Sequence, residues 1–596
     1  MLPLLSPLFA TPLFATLAFA DNPLGQEIKD GVLVDVSGTG LGLVEDLAGD
    51  LVPPRTDLAP FGFTDSSGCV PFIGCASNLE VDLSGAFVEL EIGQLALRPG
   101  TDALTLEVDL TVYLNRSNDP ADLYLYAEIL GLDLIDETCD LYLDPINLSF
   151  DAAVQLDLRH DPNGRDLDGD GQPDTRRLDV VIPPATWTWD ADEGDFNFGG
   201  CGTADVVNVI NDITSFFGFN IYDEILALIE PAIDDVVADL PASIEPAIED
   251  LFQEFIINEE IDLLGTPLTL TLWPSTVTTA PPSAGNTGGM RVGLSTIIDV
   301  PAAACVEKYA IDASLATPSQ PPQIGAGGGG GTDPAATAFV DDDFVNHLLF
   351  AAWKGGLLCQ VVSADSEDIS LPLPLDTGLL TILAPNVFTD LFPAAAPMEI
   401  RIDPREPPTA DPTGPHDFDI AAHELGVGFV ADIDGRKSRF VEISIDADAG
   451  IDLTWDNAIG AVAIEVALDG DALQPTVTAN EFKPESSDAI SGQFSVLFDL
   501  LVGPLLDDAL SGLTFPVGTI EGLGITGLDV GTAGTNGDWT GVHLEAGVPT
   551  YYAVGCDTSE GCDTSSCSKG CSQGGAGGQV VFVLVPLVIA ALRRRR

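Results

Sequence analysis

At 596 residues the chain has room for several domains, and its 45% hydrophobic residues at a mean hydropathy of +0.25 exclude general disorder, so a large apolar interior must exist. Its 93 Asp and Glu against 22 Lys and Arg leave a formal charge of −71. Such a surface repels nucleic acid, anionic lipid headgroups and lipopolysaccharide phosphates.

The first segment, Met1 to Ala20, is almost wholly apolar, and Ala18-Phe19-Ala20 before Asp21 has the small-x-small form that signal peptidase cleaves, so residues 1–20 read as an export signal, though one without Lys or Arg in its n-region. Alternation of apolar and polar residues then dominates, cleanest at Leu104 to Leu114 and repeated at Val81 to Ile92, Ile146 to Leu158, Val441 to Leu453 and Ala461 to Leu468. Period-two patterning of this length predicts long antiparallel strands with one buried face. Between strands, Asp166, Asp168 and Asp170 alternate ahead of Gly171, followed by Gln172 and Asp174. This is the oxygen-rich arrangement that suits Ca²⁺, predicted here as a structural staple, because Arg177 stands where an EF-hand has its Glu. Helical spacing follows at Asp205 to Ile229, with Ile210, Ile213 and Phe217 on one stripe, and continues at Ile244 to Ile256 after Pro231 and Pro241.

The stretch 301–336, rich in Pro and Gly, reads as a linker between bodies at 21–300 and 337–546. In the second body Phe494, Leu497, Phe498 and Leu501 form another helical apolar stripe. A Cys/Gly-rich stalk at 547–579 leads to an apolar segment at 580–596 that ends in Arg593 to Arg596. The arginines should stay cytoplasmic, leaving the body outside as a membrane-held surface protein. Six cysteines lie in the bodies, Cys69, Cys75, Cys139, Cys201, Cys305 and Cys359. In an exported chain their even number suggests disulfides, with fifteen possible connectivities.

Several phrases resemble the bactericidal/permeability-increasing protein family, the two-barrel lipid binders of the TULIP superfamily. Gly31 to Ser37 followed by Gly40-Leu41 is similar to its opening strand and first helix. Leu264 to Leu270 resembles the return toward its central sheet, and Asp343 to Asn346 with Leu348 to Leu357 the start of its second barrel. Pro397 to Ile400 through Pro407-Pro408, and then Asp417 to Ile420, resemble its strand, proline turn and strand. The resemblance implies an α+β, elongated two-barrel boomerang of curved antiparallel strands and amphipathic helices, joined by a central sheet. It also implies apolar tunnels for acyl chains and a disulfide between Cys139 and Cys201, leaving Cys69 with Cys75 and Cys305 with Cys359 as further pairs. Candidate lipid-facing residues are Leu41, Val44, Leu47, Ile210, Ile213, Phe217, Phe494, Leu497, Phe498 and Leu501. The tail resembles the C-terminal sorting signals of myxobacterial and related Gram-negative surface proteins, where a cysteine precedes the apolar segment. The family's cationic, endotoxin-neutralising tip has no expected counterpart in so acidic a chain.

Catalysis finds little support. His423-Glu424 lacks the second histidine of a zinc-protease helix, and Gly293-Leu294-Ser295 lacks the second glycine of a nucleophile elbow. No cysteine has zinc spacing, and Gly327 to Gly331 has no phosphate-loop Lys. The expectation is therefore a non-enzymatic binder or carrier of lipids at the envelope of a Gram-negative bacterium. A structural or adhesive β-rich surface protein is the first alternative, and a secreted hydrolase the second.

Overall fold

In the computed structural model residues 27–547 are described apart from 43–54, 66–68, 71–73, 130–131, 168–169, 184–192, 202–219, 254–256, 264–265, 284–285, 307–317, 326–333, 357–358, 364–374, 384–387, 389–394, 434, 457–460, 469–472, 502–513, 517–518 and 521–522. The export signal, nearly all of the stalk and the terminal apolar segment lie outside these residues. Among the described residues no helix is long and apolar enough to cross a membrane.

Alternation in the sequence becomes strand in the structure. Leu104–Leu114 is a strand of just those bounds, its even-numbered residues buried and its odd-numbered ones at least partly exposed. It lies in a five-stranded sheet, in the order Arg176–Val181, Ile146–His160, Leu104–Leu114, Phe87–Pro99 and Thr56–Asp57. A second sheet of this first body runs Phe196–Gly199, Leu132–Leu143, Ala121–Ile129, Gly74–Ser84 and Phe61–Asp65, with Cys69–Val70 paired on Gly74–Ser84. The sequence pattern at Val81 to Ile92 is not one strand. It spans the end of Gly74–Ser84 and the start of Phe87–Pro99, which belong to different sheets. Gly85 turns the chain at φ +69°, and Asn115 fixes the turn by accepting from Phe87 N at 3.0 Å and donating to Gly85 O at 3.1 Å.

Helix α1, Ile221–Gln253, is continuous through Pro231, Pro241 and Pro246. Helical spacing in the sequence begins at Asp205 and resumes after two of these prolines; 205–219 and 254–256 fall outside the described residues. Each proline removes one backbone donor and crowds the preceding turn. Tertiary burial offsets that cost: Tyr222, Ile225, Ile229, Ile233, Val237, Ile244 and Ile248 form a buried stripe at helical spacing. The polar side of α1 also covers a sheet edge, since Glu249 accepts from Val180 N at 3.0 Å and Glu245 from Ile182 N at 2.6 Å.

A central eight-stranded antiparallel sheet joins the two halves of the chain. Its order is Ile257–Leu263, Thr266–Ala280, Gly289–Asp299, Ile28–Ser37, Ala336–Asp341, Trp539–Gly547, Leu523–Ala533 and Thr519–Ile520. Gly289–Asp299 is buried along nearly its whole length, so it carries no alternation. At Gly293 a Cβ would lie 2.2 Å from both Asp30 Oδ1 and Thr276 Oγ1. The Gly293-Leu294-Ser295 phrase is thus the middle of a packed strand, not a nucleophile turn.

The second body is a sheet in the order Gln360–Ser363, Met398–Pro404, Phe418–Ile433, Arg436–Asp456, Ala461–Leu468 and Thr514–Pro516. Thr409–Asp411 pairs on Phe418–Ile433, and Gln474–Ala479 on Arg436–Asp456. Helix α2, Asp342–Lys354, follows the central strand Ala336–Asp341, and helix α3, Ser487–Leu501, packs near Gln474–Ala479. The described fold is mostly antiparallel β-sheet with few helices, in keeping with the long antiparallel strands and packed amphipathic helices of the expected α+β fold.

The stretch read as a linker is partly a strap. Within 318–325, Pro322 O accepts from Arg291 at 2.6 Å, Ile324 O from Asn286 at 2.6 Å and Gln320 O from Trp539 at 3.1 Å. Ser319 N donates to Asp341 at 3.0 Å. These contacts fasten it across the central sheet.

Candidate functional site

The most extensive apolar interior lies in the first body. Inward residues of Leu104–Leu114 (Leu106, Val108, Leu110, Val112), of Ile146–His160 (Leu148, Phe150, Val154) and of Ala121–Ile129 (Leu123, Leu125) belong to one buried cluster with the stripe of α1. At the head of the helix, Tyr222 meets Phe196 and Phe198 edge-on, with ring centroids 5.1 and 6.0 Å apart. The disulfide Cys139–Cys201 fastens Leu132–Leu143 to the chain just after Phe196–Gly199. Between residues 74 and 183 the buried polar side chains among the described residues are Asn115, Asp161 and Thr175. Asn115 follows a strand end, while Asp161 and Thr175 meet in the loop between two strands. The sheet interior itself presents hydrocarbon, and apolar burial there is worth about 25 cal/mol per Å².

Of the ten candidate lipid-facing residues, two have described side chains. Leu41 is buried in this first cluster, and Phe494 in a separate one with Phe429, Phe440 and Ile490 in the second body. Val44, Leu47, Ile210, Ile213 and Phe217 lie outside the described residues, as do the side chains of Leu497, Phe498 and Leu501. Among the described residues Cys139–Cys201 and Cys305–Cys359 form disulfides. Cys69 and Cys75 are register partners across two paired strands.

Asp168 of the acidic loop lies outside the described residues. Its neighbours fold the loop on itself: Asp166 accepts from Gly171 N at 2.8 Å, Asp170 from Gln172 N at 2.7 Å and Asp174 from Leu167 N at 2.7 Å. Arg165 ties the loop to the central sheet, donating to Thr271 Oγ1 at 2.7 Å and Asp299 at 3.1 Å. Elsewhere Asp341, Asp342 and Asp343 bring carboxylate oxygens within 4.8 Å of one another. The start of α2 accounts for that grouping, because acids favour a helix N-terminus and Asp341 caps it through Asp343 N at 3.1 Å. Burial pushes Asp341 up to about 7, against the two N–H donors that favour its charge.

One turn further along α2, His347 is fully buried and neither ring nitrogen has a hydrogen-bond partner. Burial holds its pKa down to about 4. Because the unfolded chain takes up this proton near pH 6.5, stability from this group is present above that value and lost as pH falls toward 4. His347→Leu should raise urea-measured stability by about 1–3 kcal/mol at neutral pH, with a gap over the parent chain that widens between pH 6.5 and 4. An unchanged gap on acidification would contradict a neutral buried imidazole.

Sequence reasoning missed a polar cleft of about 660 Å³ lined by Asp417, Asp452, Trp455, Leu528, Asp529 and Glu545, among others. Asp417 accepts from Leu453 N at 2.7 Å, and Asp452 accepts from Asp417 N at 3.2 Å and contacts His416 Nδ1 at 2.8 Å. Burial, with the nearby charges of Asp452 and Asp529, raises the Asp417 pKa. The hydrogen bond to Asp452 raises that of His416. The strands that line the cleft are remote in sequence, so no local motif announces it.

No protein-family model matches the chain, and no curated protein matches it. Among solved structures it is similar to lipopolysaccharide binding protein, at a TM-score of 0.48 and 12% identity, over 87% of this chain and 98% of that one. It is also similar to P47 of Clostridium botulinum E1, at a TM-score of 0.28 and 8% identity, over 86% and 98% of the two chains. Values this low assign neither family nor activity.

Proposed function

We propose that the protein binds, and carries between membranes, lipids or other long-chain amphiphiles, and that it does so without catalysing a reaction. The observation that supports this reading is the apolar interior between the two sheets of the first body and α1, where the buried polar side chains among the described residues 74–183 lie at a strand end and in a loop. An acyl chain entering such a space gains about 0.8 kcal/mol per buried methylene, so one long chain binds without any charged contact. In this reading the two bodies are barrel-like containers on a shared central sheet, with 301–336 between them. Export, and attachment to the envelope of a Gram-negative bacterium through the C-terminal tail, keep the carrier near its membranes.

Native mass spectrometry and solvent extraction of the purified protein test the reading, together with titration of a fluorescent acyl probe. Co-purifying lipid and saturable uptake are expected. Absence of both would overturn it and favour a structural or adhesive role. A carboxylate-dependent hydrolase is the second reading, favoured by the raised Asp417 in its cleft; turnover of an ester or glycoside that disappears in Asp417→Asn would establish it.

Within the same proposal the loop of Asp166, Asp168, Asp170, Gln172 and Asp174 holds Ca²⁺ as a staple. Saturating Ca²⁺ should then raise stability, by about 2.7 kcal/mol at a hundredfold excess over Kd, in the parent chain and not in Asp168→Asn. Equal melting temperatures with Ca²⁺ and with chelator would refute it.

A further inference from the structure

The two faces of the central sheet have different cover. Val32, Val34 and Val36 of Ile28–Ser37, Val340 of Ala336–Asp341 and Val292 and Leu294 of Gly289–Asp299 join the large apolar cluster of the first body. Side chains alternate along a strand, so Leu33, Asp35, Phe339, Asp341 and Arg291 point to the opposite face. Leu33, Phe339 and Trp539 form a small apolar cluster of their own there. This is the face that the strap 318–325 crosses: Trp539 and Arg291 donate to its carbonyls, and Asp341 and Asp35 accept from its N–H groups.

The strap's own sequence keeps it extended. Pro318, Pro321 and Pro322 fix their φ angles, and Gln320 and Pro321, each standing before a proline, are pushed toward extended backbone. An extended segment has no internal partners for its N–H groups, so the sheet must supply them. Two carboxylates do so, one near each end of the strap. Asp341, fully buried, accepts from Ser319 N at 3.0 Å, and Asp35, almost as buried, accepts from Gly325 N at 3.3 Å.

The two acids differ in their surroundings. Asp35 has Arg291 on both oxygens. The charges acting most on Asp341 are of its own sign, Asp342 and Asp343 in the first turn of α2, and Asp411 and Asp538 act in turn on Asp342. Residues 318–325 carry no charge, and farther along the same face lie the Arg291–Asp35 pair and His543. Burial among like charges favours the neutral carboxyl, which is why Asp341 holds its proton up to about 7. The N–H groups of Ser319 and Asp343 favour the charged form, and burial outweighs them.

We propose that 318–325 is a proton-tightened strap, closing over Leu33, Phe339 and Trp539 as Asp341 takes up a proton and loosening from them as it ionises. With the strap open, Asp341 returns to water and to an ordinary carboxyl value of about 4. Between that value and 7 the closed form binds one proton more than the open form, so closure strengthens as pH falls through this window and changes little above it. Burial shifts Asp35 in the same direction. The device does not depend on acyl chains entering the first body.

Amide hydrogen exchange of the full chain tests it, read by mass spectrometry on peptides spanning 318–325 and corrected for the intrinsic pH dependence of exchange. Where protection reports the opening equilibrium, it should rise by up to about 30-fold from pH 8 to pH 5.5, and by more than in peptides from Leu104–Leu114. Asp341→Asn keeps a good helix cap and should remove most of that slope. Ser319→Pro deletes the donor while leaving the carboxylate in place, and should lower protection of the strap severalfold at pH 5.5. Circular dichroism melts verify that each variant is folded, and the profile of the parent chain stands as a test without either. A flat or reversed profile in the parent, an unchanged slope in folded Asp341→Asn, or parent-like protection in folded Ser319→Pro would each overturn the proposal.

Discussion

Replacing Arg291 with Met should lower the stability of the chain by about 3–5 kcal/mol, because it leaves Asp35 buried without its counter-ion. In the central sheet Arg291 donates to both oxygens of Asp35, from Nε at 2.6 Å and from Nη2 at 2.8 Å, and both side chains are less than a tenth exposed. Burial raises the Asp35 pKa while Arg291 pulls it down, so losing the arginine raises it further. A carboxylate with a raised folded pKa is tolerated below its unfolded value and loses stability as pH rises through the folded one. The damage from Arg291→Met should therefore be smallest in acid and grow toward neutral pH. Pairing it with Asp35→Asn should recover much of the loss and remove that slope. The strap gives a second readout, because Arg291 also holds Pro322 O and Asp35 accepts from Gly325 N at 3.3 Å. Limited proteolysis between residues 307 and 333 should accelerate in the single variant. Urea melts that fall by less than 1 kcal/mol would show that the pair contributes little.

Changing both Cys139 and Cys201 to Ala should cost about 4 kcal/mol on chain-entropy grounds, given their sequence separation of 62 residues. Cys139 is fully buried in the first cluster, and its bond lies beside the register pair Asp140 and Gly199. Its loss frees the end of Phe196–Gly199, and with it the Phe196 and Phe198 rings against Tyr222 at the start of α1. Denaturant melts of the parent chain under oxidising and reducing conditions, compared with the double variant, measure the effect. If lipid occupies the first body, acyl-probe affinity should drop in parallel. A double variant as stable as the oxidised parent would indicate that packing alone holds this end together.

The strands readable from sequence are those with one wet face. Leu104–Leu114 and Ala461–Leu468 have the bounds their alternation predicts, and Ile146–His160 and Arg436–Asp456 extend theirs by a few residues. At Val81 to Ile92 the same signal misled, because alternation continues across Gly85 while the chain changes sheet. The candidate site was only partly legible. Its apolar strands were announced, and the disulfides Cys139–Cys201 and Cys305–Cys359 were implied by family resemblance; Leu41 and Phe494 are buried in the apolar clusters of the first and second bodies respectively. The acidic cleft left no local sign, since Asp452 and Asp529 come to it from two different sheets.

By itself the sequence determined that the chain builds long antiparallel strands around a large apolar interior. Side-chain direction alternates residue by residue, so a strand buried on one face records that fact locally. Only tertiary structure decided which strands meet. Gly289–Asp299 is buried on both faces and keeps no period, α1 runs through three prolines because an apolar stripe is buried along it, and 318–325 becomes a strap because Arg291 and Trp539 reach it. Each outcome depends on partners distant in the chain, whose contact free energy no short window of sequence contains.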